Sequence, residues 1–198
     1  MLDWLKNINK EYPDFWKEYL SKFDKKPQRI VVLDVYLSGS NPAKDVIFSF
    51  GAIGVVDDKI VISDTYETVI IQYKYLHDNH LPNDFIAKSN LTKNTEAQAV
   101  EDLINFIGNS VIVGFQTQID IDMINEALDR IFCGRLKNEV LDIQLMHRKL
   151  HDNSDKMTLT DLFDFYKIPY TDEQSTLENA YNLALIYLKL KVKLGIKI

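Results

Sequence analysis

Two aspartates stand where a carboxylate needs a reason. Asp34 closes a near-continuous apolar run over residues 29–35, and a charge inside a buried element calls for a metal, a partner or a solvent cleft. Asp120 arrives shortly after the apolar Val111-Ile112-Val113-Gly114, near the start of a helix whose apolar face continues through Ile124 and Leu128. Carboxylates that converge in this way can hold divalent ions, and paired ions activate water for in-line displacement at phosphorus. Each acid also has an ordinary role, as a strand-end turn cap for Asp34 and as charge compensation at a helix N-terminus for Asp120. With 29 acidic residues in the chain, periodicity alone does not separate these roles.

The other reactive side chains are sparse. His147 and His151 lie one helical turn apart and form a conceivable metal pair, but no third ligand motif accompanies them, which favours a surface or core role. Cys133 is the single cysteine, so it forms no internal disulfide and reads as a buried structural thiol in a reducing compartment. Lys22, Lys25, Lys26 and Arg29 form one basic cluster, and Lys189, Lys191, Lys193 and Lys197 another. Neither is interleaved with stacking residues, and both read as solvated faces, the second also suiting a helix C-terminus.

The elements that must position these residues follow from periodicity. Trp4, Leu5, Ile8, Tyr12, Phe15, Trp16, Tyr19, Leu20 and Phe23 recur at spacings of mostly three and four, which predicts an amphipathic helical extension over residues 1–28, divided by Pro13. Its aromatic stripe packs on the domain or serves a protein partner or homodimer. From residue 29 onward, the apolar run at 29–35 predicts a buried strand, and segments 46–56 and 60–71 predict a hairpin turning at Asp57-Asp58. Helical patterning dominates after residue 82, with Thr95 and Glu96 opening a helix that ends at Gly108 and Asn109. A strand at 110–113, a helix at 118–131, a strand at 140–143, and helices around His147, at 158–166 and at 172–194 complete the pattern. Strands first and strand-helix alternation afterwards predict an α/β domain over residues 29–198, a mixed sheet covered by helices.

Composition bounds the setting. The chain has 198 residues, 46% hydrophobic and 26% charged, enough for one domain with a sizeable core. A net charge of −6 repels polyphosphate overall, so any nucleic acid must be held at a local site. Nowhere do 18 apolar residues run together and the N-terminus lacks a signal-peptide core, so the expectation is a cytoplasmic protein with no membrane association.

Three segments in order carry a family resemblance. Leu33-Asp34-Val35-Tyr36-Leu37-Ser38-Gly39, followed by Phe50-Gly51-Ala52-Ile53, resembles the opening D-x-E-T-T-G block of the DnaQ-like DEDDh 3'-5' exonucleases, which include the proofreading subunit of bacterial DNA polymerase III. Val113-Gly114-Phe115-Gln116-Thr117-Gln118-Ile119-Asp120 is similar to the second block, G-H-N-x-x-F-D. Gln174-Ser175-Thr176-Leu177-Glu178-Asn179-Ala180 is similar to the third, H-x-A-L-x-D-A, with Asp142-Ile143 and residues 159–168 matching the region between. The resemblance spans about residues 29–190 and implies a ribonuclease H-like central mixed sheet, metal-dependent hydrolysis of nucleic acid 3' ends, and two divalent ions, magnesium or manganese.

Carried over residue by residue, the four metal-binding positions fall on Asp34, Tyr36, Asp120 and Asn179, and the histidine base on Gln174. Tyr36 and Asn179 remove two formal charges from a site for hard dications. Tyr36 is neutral and larger than the glutamate it replaces, a candidate to fill the metal pocket, and Gln174 cannot serve as a base near neutral pH. The resemblance therefore implies weakened or lost metal binding and impaired catalysis, with an inactive nucleic-acid-binding or protein-interaction module as the alternative. Glu178, Asp122 and Asp172 are the nearby acids, and register or helix-end roles argue against each as a substitute ligand.

Overall fold

The computed structural model describes residues 11–72, 90–152, 156–171 and 174–196. Trp4, Leu5, Ile8, Asp172 and Lys197 lie outside them, as does the helical patterning expected from residue 82 to 89. After Pro13 comes helix α1 (Asp14–Ser21), continued by a 3-10 turn (Lys22–Asp24). The strands are β1 (Ile30–Leu37), β2 (Ile47–Val56), β3 (Lys59–Ile70), β4 (Lys93–Asn94), β5 (Val111–Gly114) and β6 (Val140–Asp142). Between and after the last of them run helices α2 (Glu96–Ile107), α3 (Thr117–Arg130), α4 (Ile143–His151), α5 (Leu159–Tyr166) and α6 (Thr176–Leu194).

Among the described residues the strands form one sheet in the order β4-β3-β2-β1-β5-β6. The β1–β2 and β2–β3 pairs are antiparallel, whereas β1–β5, β5–β6 and β3–β4 are parallel. The sheet is mixed and helices cover both faces, as the sequence pattern predicts. The two-residue β4 is unanticipated, because so short a segment carries no readable alternation.

The alternation along β1 decides where its acid points. Val31, Leu33 and Val35 enter one core with Trp16 and Tyr19 of α1 and the apolar faces of α2 and α3. Ile30 and Val32 enter the other, with α4, α5 and α6. Successive side chains of a strand face opposite ways, so Asp34 and Tyr36 share the α6 side with Ile30 and Val32. Tyr19 ties α1 into the domain: its hydroxyl donates to Asn138 Oδ1 (2.7 Å) and accepts from the Lys137 N–H (2.8 Å). Trp16 and Tyr19 are thus spent on the domain rather than exposed to a partner.

Local chemistry sets the element ends. Asp57 and Asp58 hold φ of 48° and 60°, the left-handed pair that a two-residue hairpin turn requires. Helix α6 begins at Thr176, later than the expected 172, because Ser175 and Glu178 form a capping box there: Ser175 Oγ accepts from the Glu178 N–H (3.3 Å), and Glu178 Oε2 accepts from the Ser175 N–H (2.7 Å).

Candidate active site

Asp34 pairs with Gly51 across β1 and β2, and the missing side chain of Gly51 is what lets a helix approach. A Cβ there would stand 2.1 Å from the Thr176 carbonyl carbon and 2.2 Å from the Leu177 nitrogen, so the first turn of α6 rests directly on β2. Glu67, opposite Gly51 on β3, accepts the otherwise orphaned Leu177 N–H (3.1 Å). Clamped in this way, α6 carries Asn179 onto Asp34, and Asn179 Nδ2 donates to Asp34 Oδ2 (3.0 Å). Gln174 Nε2 donates in turn to Asn179 Oδ1, and Gln174 Oε1 accepts from the Thr171 N–H (3.1 Å).

Asp120 reaches the same end of the sheet by another route. Gly114 ends β5 with its α-carbon close to the Leu33 carbonyl, where a Cβ would come within 3.0 Å, and Gln116 takes a left-handed turn (φ 51°) into α3. Asp142, at the end of β6, fixes that start: its Oδ2 accepts from the Thr117 N–H (2.8 Å), while its Oδ1 accepts from the Leu145 N–H (3.1 Å) and caps α4. Asp34, Asp120 and Asp142 therefore gather at the carboxyl ends of the parallel strands β1, β5 and β6, the usual place for a site in such sheets.

This arrangement is electrostatically unbalanced. Burial pushes the Asp34 carboxyl up to about 6, opposed by the hydrogen bond from Asn179. Asp120, 7% exposed, is raised well above the usual carboxylate range by burial first and then by the negative charges of Asp34 and Asp142. Among the described residues no three or more His, Cys, Asp or Glu side chains are grouped so as to hold a metal ion.

The remaining candidates divide clearly. Tyr36 is 42% exposed, with its ring 5.4 Å from that of Phe48, and Asn179 is a side chain that meets Asp34. Glu178 is committed to the α6 cap, and Asp122 pairs with Arg135 (3.1 Å). His147 and His151 lie on α4, where His147 Nδ1 meets the Tyr166 hydroxyl at 3.0 Å. Cys133 is buried, as expected. Arg29 leaves its basic cluster to bind Asp64 through both Nε and Nη2 (2.7 Å each). Sequence reasoning missed the structural parts Asp142, Gly51 and Glu67. Asp142 had a findable signal, an acid ending an apolar strand just before a helix, the same pattern that singled out Asp34.

No family model matches the chain. It is 26% identical over 180 residues to DNA polymerase III PolC-type of Caldanaerobacter subterraneus subsp. tengcongensis, and 23% identical over 168 residues to that of Staphylococcus haemolyticus. Each match covers 84% of this chain, which spans only 12% of the length of either relative. Among solved structures, E. coli exonuclease I with a dT13 oligonucleotide superposes with a TM-score of 0.65 at 14% identity, over 85% of this chain and 42% of that one. The chain has the fold of the DnaQ-like 3'-5' exonucleases. A zinc-bound E. coli exonuclease I complex with single-stranded DNA agrees equally well within this DnaQ-like fold, with a TM-score of 0.66 at 13% identity over 86% of this chain and 42% of that one. No helix among the described residues is long and apolar enough to cross a membrane.

Proposed function

We propose that this DnaQ-like domain is a catalytically impaired exonuclease whose cleft receives nucleic acid 3' ends without efficient hydrolysis. The observation that carries this reading is the hydrogen-bond chain from Thr171 through Gln174 and Asn179 to Asp34. Hard divalent ions take oxygen donors, yet the third-block position presents an N–H to Asp34 Oδ2. This donor set does not fit two hard dications. Gln174, spent on Asn179 and Thr171, supplies no proton acceptor, a loss of about 10²- to 10⁴-fold where general-base catalysis operates. The PolC-type relatives and the single-stranded DNA complexes of exonuclease I support a nucleic acid 3' end as the occupant. The overall charge of −6 makes its capture weak and local.

The test is degradation of 5'-labelled single-stranded DNA and RNA in magnesium or manganese. The native chain, the Asp34→Asn/Asp120→Asn variant and a rebuilt Tyr36→Glu/Gln174→His/Asn179→Asp variant are run side by side. The expected result is background cleavage for the first two and shortening from the 3' end for the third. Native shortening that disappears in the double aspartate variant would overturn the reading and establish a working enzyme with fewer ligands.

A further inference from the structure

We propose that His147 and His151 form a two-histidine chelate for a transition-metal dication, copper(II) in preference to zinc. The pair lies outside the Asp34 cleft and plays no part in the hydrolytic chemistry considered for it. On α4 the two residues are four apart and share one face, and their ring centres are 4.6 Å apart. With metal–nitrogen bonds of about 2.0–2.1 Å and the ring centre about 1.1 Å further out, imidazoles in adjacent positions at about 90° have centres about 4.5 Å apart. Two nitrogens in adjacent ligand positions span this distance, and among first-row dications an imidazole site binds copper(II) most tightly, ahead of zinc.

The surroundings fit a ligand pair better than chance packing does. The Tyr166 hydroxyl lies 3.0 Å from His147 Nδ1, and in the tautomer whose Nδ1–H donates to it the contact orients the imidazole with its Nε2 lone pair available to an ion. Phe165 sets its edge against both rings, with centres 4.7 Å from His147 and 4.9 Å from His151, and holds them as a unit. The pair sits in the last turns of α4, whose carbonyl pole attracts a cation, although Arg148 and Lys149 flank it. His151 is exposed, and no third acidic, histidine or cysteine side chain completes a group among the described residues.

The test is titration of the full, tag-free chain with copper(II) near neutral pH, read by electron paramagnetic resonance. The expected result is one bound equivalent with hyperfine structure from two nitrogens. His151→Ala should lose at least about tenfold in affinity, one ligand's share. His77→Ala/His80→Ala removes the only other histidines of the chain and should change nothing, as should Asp34→Asn/Asp120→Asn. Absence of a bound equivalent, retention of it in His151→Ala, or its loss in either control variant would overturn the proposal.

Discussion

Replacing Asp34 with asparagine is expected to stabilise the protein by about 3 kcal/mol near pH 8 and by almost nothing well below pH 3.8. The carboxyl rises from its ordinary 3.8 to about 6 in the fold, because burial outweighs the Asn179 hydrogen bond. At about 1.4 kcal/mol per pH unit, that distance amounts to about 3 kcal/mol. The sign follows from which state holds the proton. Well below the ordinary value of 3.8 both folded and unfolded chains are protonated at this position, and the fold bears no penalty. As pH rises towards about 6, the unfolded chain releases its proton while the folded one resists, so stability falls, and above about 6 the full cost is present. Asparagine has the shape of the protonated acid, still accepts from Asn179, and never ionises. For a domain of this size, about 3 kcal/mol corresponds to a rise of about 6–12 °C in the unfolding midpoint. The assay is urea and thermal unfolding at constant ionic strength across this pH range. A variant no more stable than the native protein in alkali, or equally stabilised at both ends, would refute the reasoning. The Asp120→Asn change should not add fully, because the Asp34 charge is part of what burdens Asp120.

Gly51→Ala should cost more than about 3 kcal/mol or prevent soluble expression, since its Cβ would meet α6 backbone at 2.1 Å, where nothing can rotate away; near-native chemical denaturation would contradict this close approach. Tyr19→Phe should cost about 1–3 kcal/mol by leaving the Lys137 N–H and Asn138 Oδ1 without the hydroxyl, measured as a shift in urea midpoint at unchanged slope. Asn179→Asp alone should destabilise the fold above neutral pH by about 1–3 kcal/mol, because it sets a further carboxylate against Asp34 and removes the donor. Oligonucleotide cleavage should stay at background in that single variant, and unaltered stability would count against the amide contact.

Much of this architecture was readable because burial imposes simple patterns. The apolar run ending at Asp34 announced a central strand, the Asp57-Asp58 pair announced the hairpin, and the order of three weak blocks announced the fold. The partners of the site were less legible because they depend on contacts between segments far apart in the chain. Gly51 looks like an ordinary strand glycine until α6 is laid over it, and Glu67 like any surface acid until Leu177 N–H needs an acceptor. Tyr36 shows the same limit from the other side. Its place in the first block was legible although the expected strand stopped at 35, but the ring lies beside Phe48 and is 42% exposed, an outcome set by packing that spacing does not encode. The start of α6 was misplaced even though Ser175 and Glu178 spelled a capping box at the right distance.

The departures at Gln174 and Asn179 make physical sense only as a pair. An amide at 179 can give its N–H to Asp34, but its own carbonyl oxygen then needs a donor in a partly buried place. Gln174 supplies that donor, and its remaining oxygen is met by the Thr171 N–H, so the side-chain oxygens of both amides are answered. Asp120 stands differently: burial and the charges of Asp34 and Asp142 raise its proton affinity well above the usual carboxylate range. The charges of Asp34 and Asp142 against Asp120 are what a proton or a bound cation would relieve.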